Sequence, residues 1–241
     1  MMGPTGFLLF ALLSGSFLWC CYLCGTLLCL EARTSVRLSA SAVVGYWLAV
    51  TSFYLLAGLS IFRIEAALPL WGGAAVAAHL VARRRFSPRL RLQQDLSRVH
   101  AFVLEQLRSP LRIPWAALLL VVFARLCRSL AAPPLAWDSL VYHFFRAGVW
   151  VQSGRLASSI GPDGWQAYEY FQPSGDILWA WAMLPSHDDA WVGIACVIVW
   201  GTCLLAAYTS AVALGASSYR GALCALVIGA CSGTLTFLTS G

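Results

Sequence analysis

Four stretches of this chain carry no charged side chain at all: residues 1–30, 38–62, 190–219 and 221–241. A run of ~20 predominantly apolar residues is the length of helix that crosses hydrocarbon. Within a bilayer only helices or closed barrels satisfy every backbone N–H and C=O. Two further segments fit the pattern, 66–82, which ends at Arg83, and a stretch from about Ile113 to Ala132. The expected spans are therefore 7–29, 38–62, 66–82, 113–132, 190–219 and 221–241. A shorter apolar run, Ile177–Pro185, reads as the end of one more helix begun near Pro173. Composition agrees: 60% of the 241 residues are apolar and 11% charged, against roughly 45–50% and 25% in a soluble domain. No single water-facing core hides that much apolar surface, which excludes a soluble enzyme or nucleic-acid module. The first run lacks the basic start of a secretory signal, so it reads as a span. The chain stops at Thr239-Ser240-Gly241 within apolar sequence, and the expectation is a fragment of a longer protein.

Charge location sets the orientation. All sixteen basic residues are Arg. Eight of them (83, 84, 85, 89, 91, 98, 108 and 112) lie in 83–112 beside Asp95 and Glu105, so that segment nets 8 − 2 = +6 and the remainder nets zero. Arg-rich loops stay on the cytoplasmic side, next to anionic lipid. The N-terminus and the turn Arg63–Glu65 then fall outside, loop 31–37 inside, and residues 133–176 outside. Within the basic segment, Leu92, Leu96, Val99, Val103 and Leu107 recur at helical spacing, which predicts an amphipathic helix on the inner leaflet. Three parts follow: a three-helix membrane segment at 1–82, a basic cytoplasmic loop at 83–112, and a third part at 113–241 with an external loop at 133–176. The nine cysteines all lie in apolar runs and read as small hydrophobes, not as a disulfide or zinc framework.

The external loop holds the chemistry-bearing residues. Pro133 and Pro134 end the fourth span, and a helix can restart near Asp138. At 100° per residue, Ser139, Tyr142, His143, Arg146, Trp150 and Ser153 share one side, and Leu140, Val141, Phe144, Ala147, Gly148 and Val151 the other. This predicts an amphipathic helix at the outer membrane surface. The fold class is thus all-α, a polytopic transmembrane helical protein of about six or seven spans with an external amphipathic helix after the fourth. Asp138 is well placed as an N-cap, and also as a carboxylate that takes a proton from a hydroxyl or amine nucleophile or holds a metal ion. His143 has no second His or Cys at ligand spacing, so a zinc site is weakly indicated and a polar contact is the simpler reading. Arg146 suits a phosphate or a snorkelling contact with headgroups, and Arg125 and Arg128, near the outer end of the fourth span, have the same two readings. Trp137, Tyr142, Trp150, Trp165, Tyr168, Tyr170, Trp179 and Trp181 crowd this region. An interfacial aromatic belt explains most of them, and stacking on a sugar is the alternative.

The pattern W-D-S-L-x-Y-H-x-x-R-x-x-x-W-x-Q-x-G, from Trp137 to Gly154, resembles the first external loop of bacterial GT-C membrane glycosyltransferases, a group that includes protein mannosyltransferases and aminoarabinose transferases. Tyr170-Phe171-Gln172-Pro173 before an apolar helix is similar to the family's Tyr-Gln-Pro. The resemblance covers 133–241, and makes 113–241 the N-terminal part of such a domain. It implies a polyprenyl-phosphate-linked sugar donor, transfer on the outer face of a bacterial inner membrane, and Asp138 as the catalytic acid, acting directly or through a divalent metal. It matches Tyr142, His143 and Arg146 to motif positions as substrate-binding candidates, with Arg128 beside them as a cation for the lipid phosphate. Relatives carry paired acids where this chain has Asp138-Ser139, so Asp163, Glu169 and Asp176 are candidates for a second carboxylate. Two other readings stand beside it: a transporter or flippase for lipid-linked glycans, and a non-catalytic membrane subunit. The fragment alone is expected to be inactive.

Overall fold

A computed structural model describes residues 4–131, 144–156, 174–189 and 191–231. Among them are nine α-helices and no strand: α1 (Pro4–Leu28), α2 (Thr34–Gly58), α3 (Ile64–Arg83), α4 (Pro88–Arg108), α5 (Arg112–Ala131), α6 (Phe144–Ser153), α7 (Ser174–Met183), α8 (Val192–Ala213) and α9 (Ser218–Ala230). Four of these, α1, α2, α3 and α8, are long and apolar enough to cross a membrane. The pair α4 and α5, bent by 113°, would make a fifth if counted as one span. Large apolar side chains such as Phe7, Leu18, Val43, Trp47, Val76 and Ile198 point away from the protein on these helices. Hydrocarbon demands such an outer face and water penalises it.

The helices follow the charge-free runs, with instructive departures. α2 begins at Thr34, before Arg37, and stops at Gly58, where Ser60 takes φ 60°. The expectation had put the whole of 38–62 in the span. α8 stops at Ala213 because Gly215, at φ 95°, turns the chain. α5 coincides with the expected fourth span, but Arg112, Arg125 and Arg128 leave only 113–124 free of charge. By length and composition, Arg112–Arg128 passes as a span only together with α4. α9 starts ahead of Arg220, capped by the Ser217 hydroxyl, and the rest of the 221–241 run lies outside the described residues.

Small residues bring the helices together. α1 packs on α2 and α3, α8 on α9, and α2 joins the two groups through α7 and α8. A Cβ placed on Gly25 would collide with the backbone of Ser41, so α1 and α2 touch main chain to main chain there. A Cβ on Gly229 of α9 would collide with the Leu204 side chain and crowd Leu118 and Trp200, and the Trp200 indole N–H donates to the Gly229 carbonyl at 3.2 Å. The Ser39 hydroxyl donates to Thr209 Oγ1 at 3.1 Å, a polar link between α2 and α8. Without a strong hydrophobic drive between helices in lipid, such close approaches and polar links do the work of association.

One buried polar cluster organises an end of the bundle. Arg37 at the start of α2 is 1% exposed and Asp95 in the middle of α4 is 2% exposed. Their side chains form an ion pair. The Tyr22 hydroxyl donates to Asp95 Oδ2 at 3.0 Å and the Thr34 hydroxyl to Asp95 Oδ1 at 2.8 Å. Arg37 also donates to the Ala32 carbonyl, Arg91 to the Leu30 carbonyl, and Arg98 to Thr34 Oγ1 at 3.2 Å. α4 is thereby clasped across the point where α1 ends and α2 begins. Phe102 meets Tyr208 of α8 edge-on, with ring centroids 5.1 Å apart. Burial pushes the Asp95 carboxyl up, but the hydrogen bonds from Arg37, Thr34 and Tyr22, with the Arg37 charge, outweigh it and hold it below the ordinary value of 3.8.

Two outcomes follow from this packing. Because Asp95 is held low in the folded state, the clasp keeps its full contribution above about pH 4 and loses it as pH falls through the folded value. Thermal unfolding in detergent should therefore be flat in this respect from about pH 5 to 8, with Asp95→Leu lowering stability by about 3–5 kcal/mol and Arg37→Leu/Asp95→Leu recovering part of it. Gly25→Val should cost about 1–3 kcal/mol by forcing α1 away from Ser41, measured by the same unfolding curve.

Candidate functional site

α6 and α7 are ten residues each. α6 packs on α7 and α7 on α2 and α8. Trp150 of α6 lies against Phe53 of α2 with ring centroids 4.8 Å apart. Gly154, at φ 68°, ends α6: its N–H donates to the Trp150 carbonyl at 2.8 Å and its own carbonyl accepts from Phe62 N–H at 2.9 Å. Only glycine adopts that backbone without strain, and here it ties α6 to the turn between α2 and α3. Trp150 and Gly154, two of the residues carrying the family resemblance, thus have clear structural work.

The charged centre of this bracket is Arg146 with Asp176. Arg146 Nη1 stands 3.1 Å from Asp176 Oδ2, and the two residues are 3% and 0% exposed. Asp176 lies in the first turn of α7, where the helix dipole favours a carboxylate. The expected amphipathic helix had put Arg146 and Trp150 on a water-facing stripe opposite Ala147 and Val151. Instead Arg146, Ala147, Trp150 and Val151 are all buried, while Phe145 is 44% exposed. The reason is α7, which covers the polar side of α6 and supplies the counter-charge. Arg146 is therefore occupied with Asp176, and Asp176, one of three candidates for a second carboxylate, is occupied with Arg146.

Trp150, Trp179 and Trp181 differ from the interfacial belt expected of them, while Trp137, Tyr142, Trp165, Tyr168 and Tyr170 lie outside the described residues. Trp150 and Trp179 are buried, and the Trp181 indole N–H donates to the Ala49 carbonyl at 2.9 Å. Trp181 meets Phe62 and Trp71 edge-on at 5.0 and 6.1 Å, Phe62 meets Phe53 at 4.9 Å, and Phe17 meets Trp71 at 4.7 Å. These rings form one core that joins α1, α2, α3, α6 and α7. Beside it, between α1, α7 and α8, is an apolar cavity of about 140 Å³ whose walls include Phe10, Phe17, Trp71, Trp181 and Trp191.

Arg128 is exposed near the end of α5, and Arg125 one turn earlier is half-buried. Their helix packs chiefly on α8 and α9. Asp138, Tyr142, His143, Asp163 and Glu169 lie outside the described residues. Among the described residues no three His, Cys, Asp or Glu side chains gather as a metal site. Sequence reasoning missed the Arg37–Asp95 clasp. A signal for it exists: Asp95 falls among Leu92, Val99 and Phe102 round α4, and an acid on an apolar helix face needs a partner.

No family model, curated protein or solved structure matches the chain.

The Arg146–Asp176 pair makes a sharp expectation. Arg146→Leu alone should lower stability by about 3–5 kcal/mol because it strands a buried carboxylate, whereas Arg146→Leu/Asp176→Leu should cost clearly less. A double-mutant cycle on thermal unfolding reads the difference.

Proposed function

We propose that this chain belongs to an integral-membrane glycosyltransferase that moves a sugar from a polyprenyl-phosphate donor to an acceptor on the outer face of a bacterial plasma membrane. The observation that carries the reading is the run Trp137–Gly154, with its acid, phenol, imidazole and guanidinium in the order of the GT-C external loop. Two structural features support it. The arginine-rich α4 lies at one end of the bundle and the α6–α7 bracket reaches the turn between α2 and α3 at the other. With arginines retained in the cytoplasm, that bracket faces outward. The apolar cavity beside α7 would accept part of an isoprenoid chain.

The reaction assigns one role to each group. The Asp138 carboxylate takes the proton of the acceptor hydroxyl or amine. The acceptor oxygen or nitrogen then bonds to the anomeric carbon of the sugar as the bond from that carbon to the phosphate oxygen breaks. Polyprenyl phosphate leaves with the electron pair, and a cation steadies the growing charge. Arg128, exposed on α5, suits that task better than Arg146, whose guanidinium already faces a carboxylate. Arg146 becomes a positioning residue that fixes the helix following the catalytic loop. Tyr142 and His143 remain substrate-binding candidates. A glycan transporter would want charged groups near the middle of its spans. Among the described spans the buried charge is Arg37, which sits at a helix end.

The test uses membranes carrying the protein, a panel of polyprenyl-phosphate-linked hexoses and pentoses, and release of free polyprenyl phosphate as the readout. Asp138→Asn should lower that release by about 10²–10⁴-fold with no change in unfolding midpoint. Release at the unaltered rate would remove Asp138 from the mechanism. In a full-length protein that contains this chain, failure to release any polyprenyl phosphate would favour a non-catalytic membrane subunit.

A further inference from the structure

The geometry points to α4 as an in-plane anchor that docks on the anionic headgroup layer of the bilayer holding the spans. Three sides can be traced round this helix at 100° per residue. The first, with Asp95, Phe102 and Gln106, packs on the bundle: Asp95 and Gln106 are buried and Phe102 meets Tyr208. Next to it, about 40–120° away, come Val99, Val103, Leu96 and Leu107. These side chains are 40%, 46%, 57% and 56% exposed. The remaining arc is mainly polar, with His100, Gln93, Ser97, Arg108, Gln94, Glu105 and Arg98 interrupted by Leu104, Leu90 and Ala101.

An apolar stripe of this kind, left in water, would be a liability. Beside the ends of membrane-spanning helices it has a natural medium, the boundary between headgroups and acyl chains. Charge selects the kind of headgroup. Arg83, Arg84, Arg85, Arg89, Arg98, Arg108 and Arg112 are all exposed on α4 and the helix ends that flank it. One of the segment's two acids, Asp95, is already buried against Arg37, which leaves Glu105 as the exposed acid of 83–112. A surface with seven exposed guanidinium groups and one exposed carboxylate is complementary to phosphate esters of net negative charge.

The clasp gives the docking its direction. Tyr22, Thr34 and Arg37 hold Asp95 from one side, so α4 cannot roll about its axis. The apolar stripe is thus presented at a fixed angle to the bundle. This distinguishes α4 from a loosely tethered basic tail, which would bind anionic lipid without orientation. The surface serves membrane seating and is independent of the glycosyltransferase reading.

The experiment titrates phosphatidylglycerol or phosphatidylcholine into the full chain in a mild non-ionic detergent and follows the unfolding midpoint. Phosphatidylglycerol should raise the midpoint at a lipid concentration at which phosphatidylcholine does not, and about 0.5 M salt should weaken the difference because exposed charges are screened. Replacing Arg84, Arg85, Arg89, Arg108 and Arg112 together by Gln should raise the half-saturating phosphatidylglycerol concentration about tenfold or more. The midpoint without lipid should hardly change, since none of the five joins the clasp. Val103→Asp, on the apolar stripe, should weaken the response to phosphatidylglycerol although it leaves every Arg in place. Equal responses to the two lipids, a five-Gln variant that binds phosphatidylglycerol as tightly as the parent, or the same shift from inorganic phosphate alone would each overturn the proposal.

Discussion

Arg37 can lie inside the bundle because Asp95, 58 residues further along the chain, meets it there. A lone guanidinium or carboxylate removed from water costs several kcal/mol, and the penalty is offset only when geometry and further hydrogen bonds are good. Here Tyr22, Thr34 and the Ala32 carbonyl complete the set. Much of the molecule's form at that end depends on this. The start of α2 can precede its charge-free run, the ends of α1 and α3 are brought under one cover, and α4 is turned across them. Remove the pairing and the arginine-rich segment becomes a tether between α3 and α5 with no defined orientation.

A second buried pair plays a comparable part near the other end. Arg146 of α6 with Asp176 of α7 supplies a link that hydrophobic area by itself does not specify. Trp150 against Phe53 and the Trp181 bond to Ala49 then fix the bracket to α2. Polar links set the register, and rings fill the space between. This division suits a chain whose outer surface is apolar, because apolar contacts alone would not tell helix from lipid.

Much of the helical layout was legible from charge-free runs, since hydrocarbon forces such runs into helices. Their ends were less so. Arg37 looked like the limit of a span because a charge usually is one, and the compensating carboxylate lay in a segment read as merely basic. α5 follows the apolar run expected from Ile113, although Arg125 and Arg128 lie within it. Of the helix expected from Asp138 onward, the described part, α6, was not legible in its facing: a polar stripe with Arg146 predicts water only if no acid covers it, and Asp176 does. The aromatic residues were misleading for a similar cause. Trp150, Trp179 and Trp181 have the composition of an interfacial belt, while their placement depends on how α6 and α7 rotate against α2. No sequence period encodes that rotation.

The separation of Arg37 and Asp95 along the chain also has a consequence in time. Residue 95 is made after α1, α2 and α3, so Arg37 is without its Asp95 partner when α2 is first complete. Its long side chain can then reach back to the headgroup region. α1 packs on both α2 and α3 without α4, and what the later segment adds is the cover over Arg37.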